Sequence, residues 1–169
     1  SNLQRQILHT EAGIGSPKVD SATHALNALN SRVKITAHQT RPTSDNVHAI
    51  IASADVVIDG SDNFPTRYLL NDACVELAKP MVYAAVERFN GQISVFDLRH
   101  TGSPCYHCLF PIEGEHEDMR CAIMGVFSPL VGIIGCMQAA EALKILLNIG
   151  ETLKGRVLML DGLAMSWRS

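Results

Sequence analysis

The sequence lacks the two glycine-rich motifs that most often hold nucleotide phosphates. Neither G-x-G-x-x-G nor the phosphate-loop pattern with its lysine occurs in the 169 residues. If the protein binds a nucleotide, we therefore expect the turn that cradles its phosphates to lie outside this chain. The sequence also contains no internal repeats and no low-complexity tracts, so a solenoid or other repeat architecture is not expected.

An excess of basic charge is absent too. The 14 lysines and arginines are outnumbered by 17 acidic residues, so the net charge is −3. This excludes nucleic-acid binding as a main role, because such proteins carry basic surfaces for phosphates. The 47% apolar and 18% charged content excludes a disordered chain. We expect one domain over residues 1–169, incomplete at both ends, and its abrupt opening without a methionine or signal peptide argues against a natural N-terminus.

Cysteine is too sparse and too irregular for a secreted disulfide scaffold. We therefore expect a reducing cytoplasm and a different use for at least one of the five cysteines. Two of them, Cys74 and Cys136, fall in apolar helical segments and are expected in the core. The full set is Cys74, Cys105, Cys108, Cys121 and Cys136.

One segment, 126–149, is apolar enough to suggest a membrane span. It contains Gln138, Glu141 and Lys144, and polar groups of this kind are costly within a bilayer. We interpret it as a buried helix of a soluble domain.

Helical and strand patterns alternate along the chain, which predicts an α/β fold with a mainly parallel sheet. Residues 99–125 stand apart as a long surface loop, and loops of that length are usually functional. The predicted helices are 17–29, 43–53, 64–78 and 126–149, and the predicted strands are 33–36, 55–59, 81–86, 91–97, 156–161 and 165–167.

Asp62 follows the predicted strand 55–59, where α/β sheets bind their ligands. A carboxylate in that position can hold Mg²⁺ and, through it, a triphosphate. It can also simply cap the helix that begins near Phe64, and position alone slightly favours this second role.

Arg5 and Lys18 are candidate phosphate ligands. Lys18 begins a helix, where a cation opposes the helix dipole unless an anion is bound nearby. On spacing alone, two solvated surface charges are the simpler interpretation.

Cys105 and Cys108 form a C-x-x-C pair that can supply two thiolates to zinc. A redox disulfide is the competing use, but that motif normally opens a helix, and here it follows Gly102, Ser103 and Pro104 in a loop. Only half of a four-ligand site is visible, and His107 or His116 would complete it less well. Cys121 follows Arg120, which favours a nucleophilic thiolate, although an unreactive loop cysteine is equally compatible.

Together these segments resemble the MoeB/ThiF family of adenylyltransferases, which are relatives of the ubiquitin-activating enzymes. The resemblance covers the whole chain. It implies a Rossmann-like sheet with flanking helices, an antiparallel extension and a long crossover loop. The segments that carry it are residues 1–6 (SNLQRQ), 15–18 (GSPK), 60–63 (GSDN) followed by Arg67, 91–93 (GQI), 104–110 (PCYHCLF) and 125–138.

The resemblance also implies a role for each matching residue. Asn2, Arg5 and Gln6 would contact ATP, with Arg5 and Lys18 on its phosphates. Asp62 would serve Mg²⁺ and the reacting centre, and Asn63 would also bind the cofactor. Cys105 and Cys108 would be half of a zinc site, and Cys121 would link to the carrier protein or relay sulfur, as in some members.

The implied reaction is adenylation of the terminal glycine carboxylate of a small ubiquitin-like sulfur carrier ending in Gly-Gly. Molybdenum-cofactor and thiamine biosynthesis are the pathways the resemblance suggests, and a homodimer is expected, with residues 69–75 and 126–134 contributing. The family's glycine loop and second C-x-x-C pair are absent here, so we expect the isolated chain to be inactive. The alternatives are a non-catalytic scaffold half of a heterodimeric activating enzyme and, less well supported, an NAD-dependent oxidoreductase.

Overall fold

A computed structural model describes residues 2–111 and 125–169. The chain divides into two compact units, with the boundary between Arg41 and Pro42. The first unit contains a short 3₁₀ helix, Glu11–Gly13, and helix α1, Lys18–Leu29. Pro17 stands immediately before α1, so the predicted helix after this proline is confirmed.

The strand predicted at residues 33–36 is wrong. This segment is neither helical nor part of the sheet, and no strand of the described residues pairs with it. Its composition favours an extended backbone, but a strand also requires a neighbour that accepts and donates the ladder hydrogen bonds.

The second unit is built on a five-stranded mixed sheet with strand order β1-β2-β3-β4-β5. Only β1 and β2 are parallel, and the other three pairs are antiparallel. The α/β fold and its antiparallel extension are therefore confirmed, but the prediction of a mainly parallel sheet is wrong for the described residues, because three of their four strand pairs are antiparallel. The strands are β1 Val57–Asp59, β2 Met81–Glu87, β3 Asn90–Phe96, β4 Val157–Asp161 and β5 Ser166–Arg168.

Among the described residues of this unit, four helices accompany the sheet, and three of them match predicted segments. Helix α2 begins at Val47 with Asn46 as its N-cap, whereas the predicted cap was Thr43 or Ser44. The Thr43 amide donates to Asn46 Oδ1 at 2.8 Å, which makes a turn of the segment before the helix. A one-turn helix, α4, lies in the segment predicted as a loop. The helices are α2 Val47–Ile51, α3 Phe64–Glu76, α4 Tyr106–Leu109 and α5 Ser128–Leu147.

Helix α5 packs on one face of β2, β3 and β4. Because side chains of a strand alternate between faces, residues such as Val82, Ile93 and Leu160 point towards α5 and contact Leu130 and Ile134 in one buried cluster. The other face of β2 packs against α2, α3 and α4 in a second cluster. Strand β3 is buried over most of its length, so its predicted half-exposed pattern is wrong.

The polar residues of α5 bind the sheet and the segment before β4. Gln138 Nε2 donates to the carbonyl of Asp59 at 2.8 Å and to that of Val82 at 3.2 Å. Glu141 is buried, accepts from the Leu153 amide at 2.8 Å and pairs with Lys144. By length and composition alone, α5 would be able to cross a membrane, but these contacts are those of a helix packed on a domain. Only one face of α5 is buried, so the prediction of a buried helix holds for that face alone.

Candidate functional site

The turn between β1 and α3 contains Asp62, and the structure shows which residue caps the helix. Asn63 Oδ1 accepts from the Thr66 amide at 3.0 Å, so Asn63 occupies the N-cap. The capping role considered for Asp62 is therefore wrong. Asp62 is exposed, and its Oδ1 accepts from Asn63 Nδ2 at 3.3 Å. Its carboxylate is available to a ligand at the carboxyl end of β1.

Asp62 and Asn63 stand at one end of a cleft on the sheet face opposite α5. The cleft has a volume of about 420 Å³. Helices α3 and α4 cover this face near β1, near β2 and at Phe96 of β3, so the part over Gln92, β4 and β5 is open. The floor is formed by every second residue of four strands, and the lining includes Tyr83, Ala85, Gln92, Met159 and Arg168, with Phe64 and Phe110 near Asp62.

Tyr83 and Gln92 form the polar part of the cleft floor. Gln92 Nε2 donates to the Tyr83 hydroxyl at 2.7 Å, which fixes the amide in one orientation. Burial raises the pKa of Tyr83, so its phenol is neutral at physiological pH. The sequence interpretation assigned no role to either side chain, although the alternation of β2 and β3 already placed them on a common face.

Cys105 and Cys108 are close enough to bind one metal ion. Their sulfur atoms lie 3.7 Å apart and form no disulfide. Two thiolates on one tetrahedral zinc, each about 2.3 Å from it, are separated by about 3.8 Å, so the pair fits half of a zinc site. Cys105 stands at the N-cap of α4. The expectation that no helix follows the motif is therefore wrong.

The described residues contain no group of three or more histidine, cysteine and acidic side chains suited to a metal. His107 is not such a ligand, because its Nε2 lies 2.7 Å from Asp72 Oδ1 and its ring stacks on Tyr68. The Tyr106 amide donates to Asn71 Oδ1 at 2.8 Å. Helix α3 therefore contacts the turn that contains Cys105 and Cys108, and its N-cap, Asn63, directly follows Asp62.

In the first unit, the structure brings together three of the four predicted nucleotide ligands. Asn2, Gln6 and Lys18 line a cavity of about 170 Å³, and Arg5 is not among its lining residues. Gln6 Oε1 is buried and has no hydrogen-bond partner among the described residues. The cavity also includes His9, whose Nδ1 lies 3.0 Å from Ser21 Oγ.

The remaining cysteines differ from one another. Cys74 is buried as predicted, and burial together with the nearby Asp59 raises its pKa to about 12. Cys136 is exposed on α5, so its predicted core position is wrong. Cys121 and His116 lie outside the described residues.

Several curated proteins are similar to the whole chain. It is 46% identical to a sulfur carrier protein adenylyltransferase of Thermus thermophilus, matching 99% of this chain and 64% of that protein. It is 44% identical to the SAMP-activating enzyme E1 of Haloferax volcanii, matching 100% of this chain and 62% of that protein. For the adenylyltransferase and sulfurtransferase MOCS3 of Culex quinquefasciatus the identity is 45%, over 100% of this chain and 38% of that protein. The chain thus spans less than two thirds of each relative.

Solved structures share the fold. E. coli MccB with ATP superposes with a TM-score of 0.82 at 19% identity, over 99% of this chain and 51% of that one. E. coli MccB with MccA-N7isoASN gives 0.81 at 18%, over 99% and 52%. The model of the ThiF family matches residues 1–169. The chain, with its mixed sheet, its aspartate after β1 and its cysteine pair, therefore belongs to the ThiF family.

Proposed function

We propose that the protein containing this chain is an ATP-dependent adenylyltransferase that activates the C-terminal carboxylate of a small ubiquitin-like sulfur carrier. The observation that carries the proposal is the cleft across the open face of the sheet, which ends at Asp62 and Asn63. Relatives at 44–46% identity are named as sulfur carrier adenylyltransferases or activating enzymes.

The dimensions of the cleft suit an extended peptide tail. From β5 to β2 the cleft crosses three strand spacings of about 4.8 Å each, or about 14 Å. An extended chain advances about 3.4 Å per residue, so about four residues fit between the edge of the sheet and Tyr83. Ala85 is small and lies on the floor of this path. A tail ending in Gly-Gly would place little side-chain volume at the end near Asp62.

At that end the tail's carboxylate would attack the α-phosphorus of ATP. A carboxyl oxygen forms a bond to phosphorus, the bond to the leaving pyrophosphate breaks, and an acyl-adenylate results. The attacking carboxylate is already ionised at neutral pH, so the chain need not supply a general base. Its residues bind and orient the two anions and stabilise the charge that develops on the pyrophosphate.

Asp62 fits a Mg²⁺ ion that also binds ATP. Mg²⁺ usually takes one or two carboxylates and completes its shell with phosphate oxygens and water. Asp62 is exposed in the cleft, and its neighbour Asn63 is engaged in capping α3. Mg²⁺ would neutralise charge on the phosphates. We assign Asn2, Arg5, Gln6 and Lys18 to ATP, with Arg5 and Lys18 on its phosphates.

Zinc at Cys105 and Cys108 would be structural, because the turn that contains the pair is held on α3 through Asn71 and Asp72. Cys121 remains our candidate for a thiolate that either displaces AMP from the acyl-adenylate, forming a thioester with the carrier, or relays sulfur from a donor. A homodimer in the cytoplasm completes the proposal, and molybdenum-cofactor and thiamine biosynthesis remain the candidate pathways.

The test uses the full-length protein, labelled pyrophosphate and purified carriers ending in Gly-Gly. We expect carrier-dependent exchange of label into ATP. Ala85→Phe would fill the floor of the cleft, so the KM for the carrier rises by about tenfold or more, as for a tail excluded from its path. ATP binding in the absence of carrier is expected to be unchanged.

Ala52→Phe is the matched control, because Ala52 is exposed at the end of α2 and outside the cleft. Absence of exchange with every carrier tested would contradict the adenylation proposal and favour the scaffold half. Equal carrier KM values for Ala85→Phe and Ala52→Phe would show that the tail does not use this cleft. A Cys121→Ala protein that retains sulfur transfer would remove Cys121 from the mechanism.

A further inference from the structure

Arg67 is a buried arginine of α3 whose side chain contacts the turn that contains Asp62. Only 9% of the residue is exposed, and a buried cation is costly unless protein groups compensate it. Nη2 donates to the carbonyl of Ser61 at 3.0 Å, and Nε lies 3.8 Å from Asp59 Oδ2. The guanidinium carbon also lies 5.5 Å from the centroid of the Tyr83 ring. The guanidinium therefore contacts the end of β1, the turn and the cleft floor together.

The same turn is held at three further points. The Ser61 amide donates to Asp59 Oδ1 at 2.9 Å, and Gln138 holds the Asp59 carbonyl at 2.8 Å. On the other side of Asp62, Asn63 is fixed as the cap of α3. Both peptide groups of Ser61 are thus engaged, and Asp62 lies between two anchored neighbours. Arg67 supplies the only one of these contacts that comes from the side of the cleft.

We propose that Arg67 is a positioning residue of the adenylation site. It holds the Ser61 carbonyl and thereby fixes the direction in which the Asp62 carboxylate enters the cleft. This inference rests on the proposed function, because it assigns Asp62 to Mg²⁺ and ATP. Arg67 is not assigned to the carrier, since its Nη2 and Nε face Ser61 and Asp59 and its guanidinium carbon lies over the rings of Tyr83 and Phe64.

An arginine is required here because its donors are spread over a rigid plane. A lysine keeps the positive charge beside Asp59, but its single ammonium cannot also reach Ser61 and lie flat on Tyr83. Arg67→Lys therefore preserves charge and changes geometry. Arg99→Lys is the matched control. Arg99 binds the buried Asp97 through Nε and Nη2, both at 2.8 Å, at the end of the sheet opposite Asp62.

The kinetic test measures pyrophosphate exchange by the full-length protein against Mg²⁺ and against carrier. For Arg67→Lys we expect kcat to fall by about ten- to hundredfold, as for a catalytic group displaced by about 1 Å. The Mg²⁺ concentration giving half the maximal rate should rise by about tenfold. The carrier KM should stay within about twofold of wild type, since binding of the tail is intact. Arg99→Lys should leave all three quantities unchanged.

A second measurement follows the turn itself. Amide hydrogen exchange of residues 60–63 should speed up in Arg67→Lys, while exchange in β3 should match wild type. Unchanged exchange in the turn, unchanged kcat and Mg²⁺ dependence, or an effect confined to the carrier KM would each overturn the inference. If wild-type protein adenylates no carrier, the proposed function fails, and hydrogen exchange still decides whether Arg67 fixes the turn.

Discussion

Replacing Gly91 by alanine tests how closely β3 and α5 are packed. A Cβ at this position would lie 2.7 Å from Ile134 Cγ1 and 2.8 Å from Ile134 Cδ1, where ordinary contacts are 3.4–4 Å. Ile134 is 2% exposed, so its side chain has no solvent-filled space to enter. The φ of Gly91 is not positive, and alanine is therefore free of backbone strain there. The substitution isolates a steric effect.

The expected size of this effect follows from two opposing contributions. Adding a methyl group to a well-packed core costs about 1–3 kcal/mol. Replacing glycine by alanine returns about 0.5–1 kcal/mol, because the unfolded chain loses freedom. These ranges leave a net loss of about 0–2.5 kcal/mol in the free energy of unfolding, and because the added Cβ lies under 3.0 Å from two Ile134 atoms we expect about 1–2 kcal/mol. In urea this lowers the midpoint by about 0.5–1 M if the m-value is about 2 kcal/mol/M and unchanged.

Two companion variants separate packing from other causes. Gly135→Ala is the matched control, because a Cβ there meets nothing within 4 Å and alanine favours a helix by about 0.5–1 kcal/mol. Ile134→Val removes Cδ1, so the double variant Gly91→Ala/Ile134→Val should be more stable than the sum of the two single effects predicts. A Gly91→Ala protein as stable as wild type, or strict additivity in the double variant, would refute this reasoning.

Three further predictions concern the cysteines and a buried aspartate. Burial raises the pKa of Cys74 to about 12, so iodoacetamide at pH 8 should leave Cys74 unmodified in the folded protein. The exposed Cys136 should react, and mass spectrometry would detect the difference. Equal labelling of both cysteines would contradict this. Cys108→Ser should lower the zinc content of the full-length protein measured by elemental analysis, while Cys136→Ser leaves it unchanged; equal zinc in both variants would exclude the pair as ligands. Hydrogen bonds from Arg99 lower the pKa of Asp97 below its usual 3.8, so Asp97 stabilises the protein above that pH and the stabilisation is lost as pH falls through the folded-state pKa. The difference in unfolding free energy between wild type and Asp97→Asn should therefore be larger at pH 7 than at pH 3 in urea titrations, and a constant difference would contradict this origin.

Most of the secondary structure was predictable because its signals are local. Pro17, the apolar run that ends at Asp59 and the polar residues 60–63 all mark boundaries that the structure keeps. The prediction of a strand at residues 33–36 was wrong because a strand depends on a pairing partner, which is not a local property. The half-exposed pattern predicted for β3 was wrong for a related reason, since the burial of this strand depends on which helices cover the sheet.

The candidate site was predictable in position and less so in detail. The rule that ligands bind beyond the carboxyl ends of strands located Asp62. The rule could not decide between Asp62 and Asn63 as the cap, because both residue types cap helices well. Cys136 was misplaced because α5 is apolar on all sides, and periodicity then gives no indication of the exposed face.

Along strands β2, β3 and β4, residues that pack in the core alternate with residues that line the cleft. Ala84, Ile93 and Leu158 pack in the cluster with α5, whereas their neighbours Ala85, Gln92 and Met159 line the cleft. If the cleft binds a carrier as proposed, a duplicated copy of such a gene would acquire a new carrier by changing alternate codons along three short strands, while the intervening codons keep the domain folded. Mutations in these strands would then change the choice of substrate with little effect on the stability of the domain.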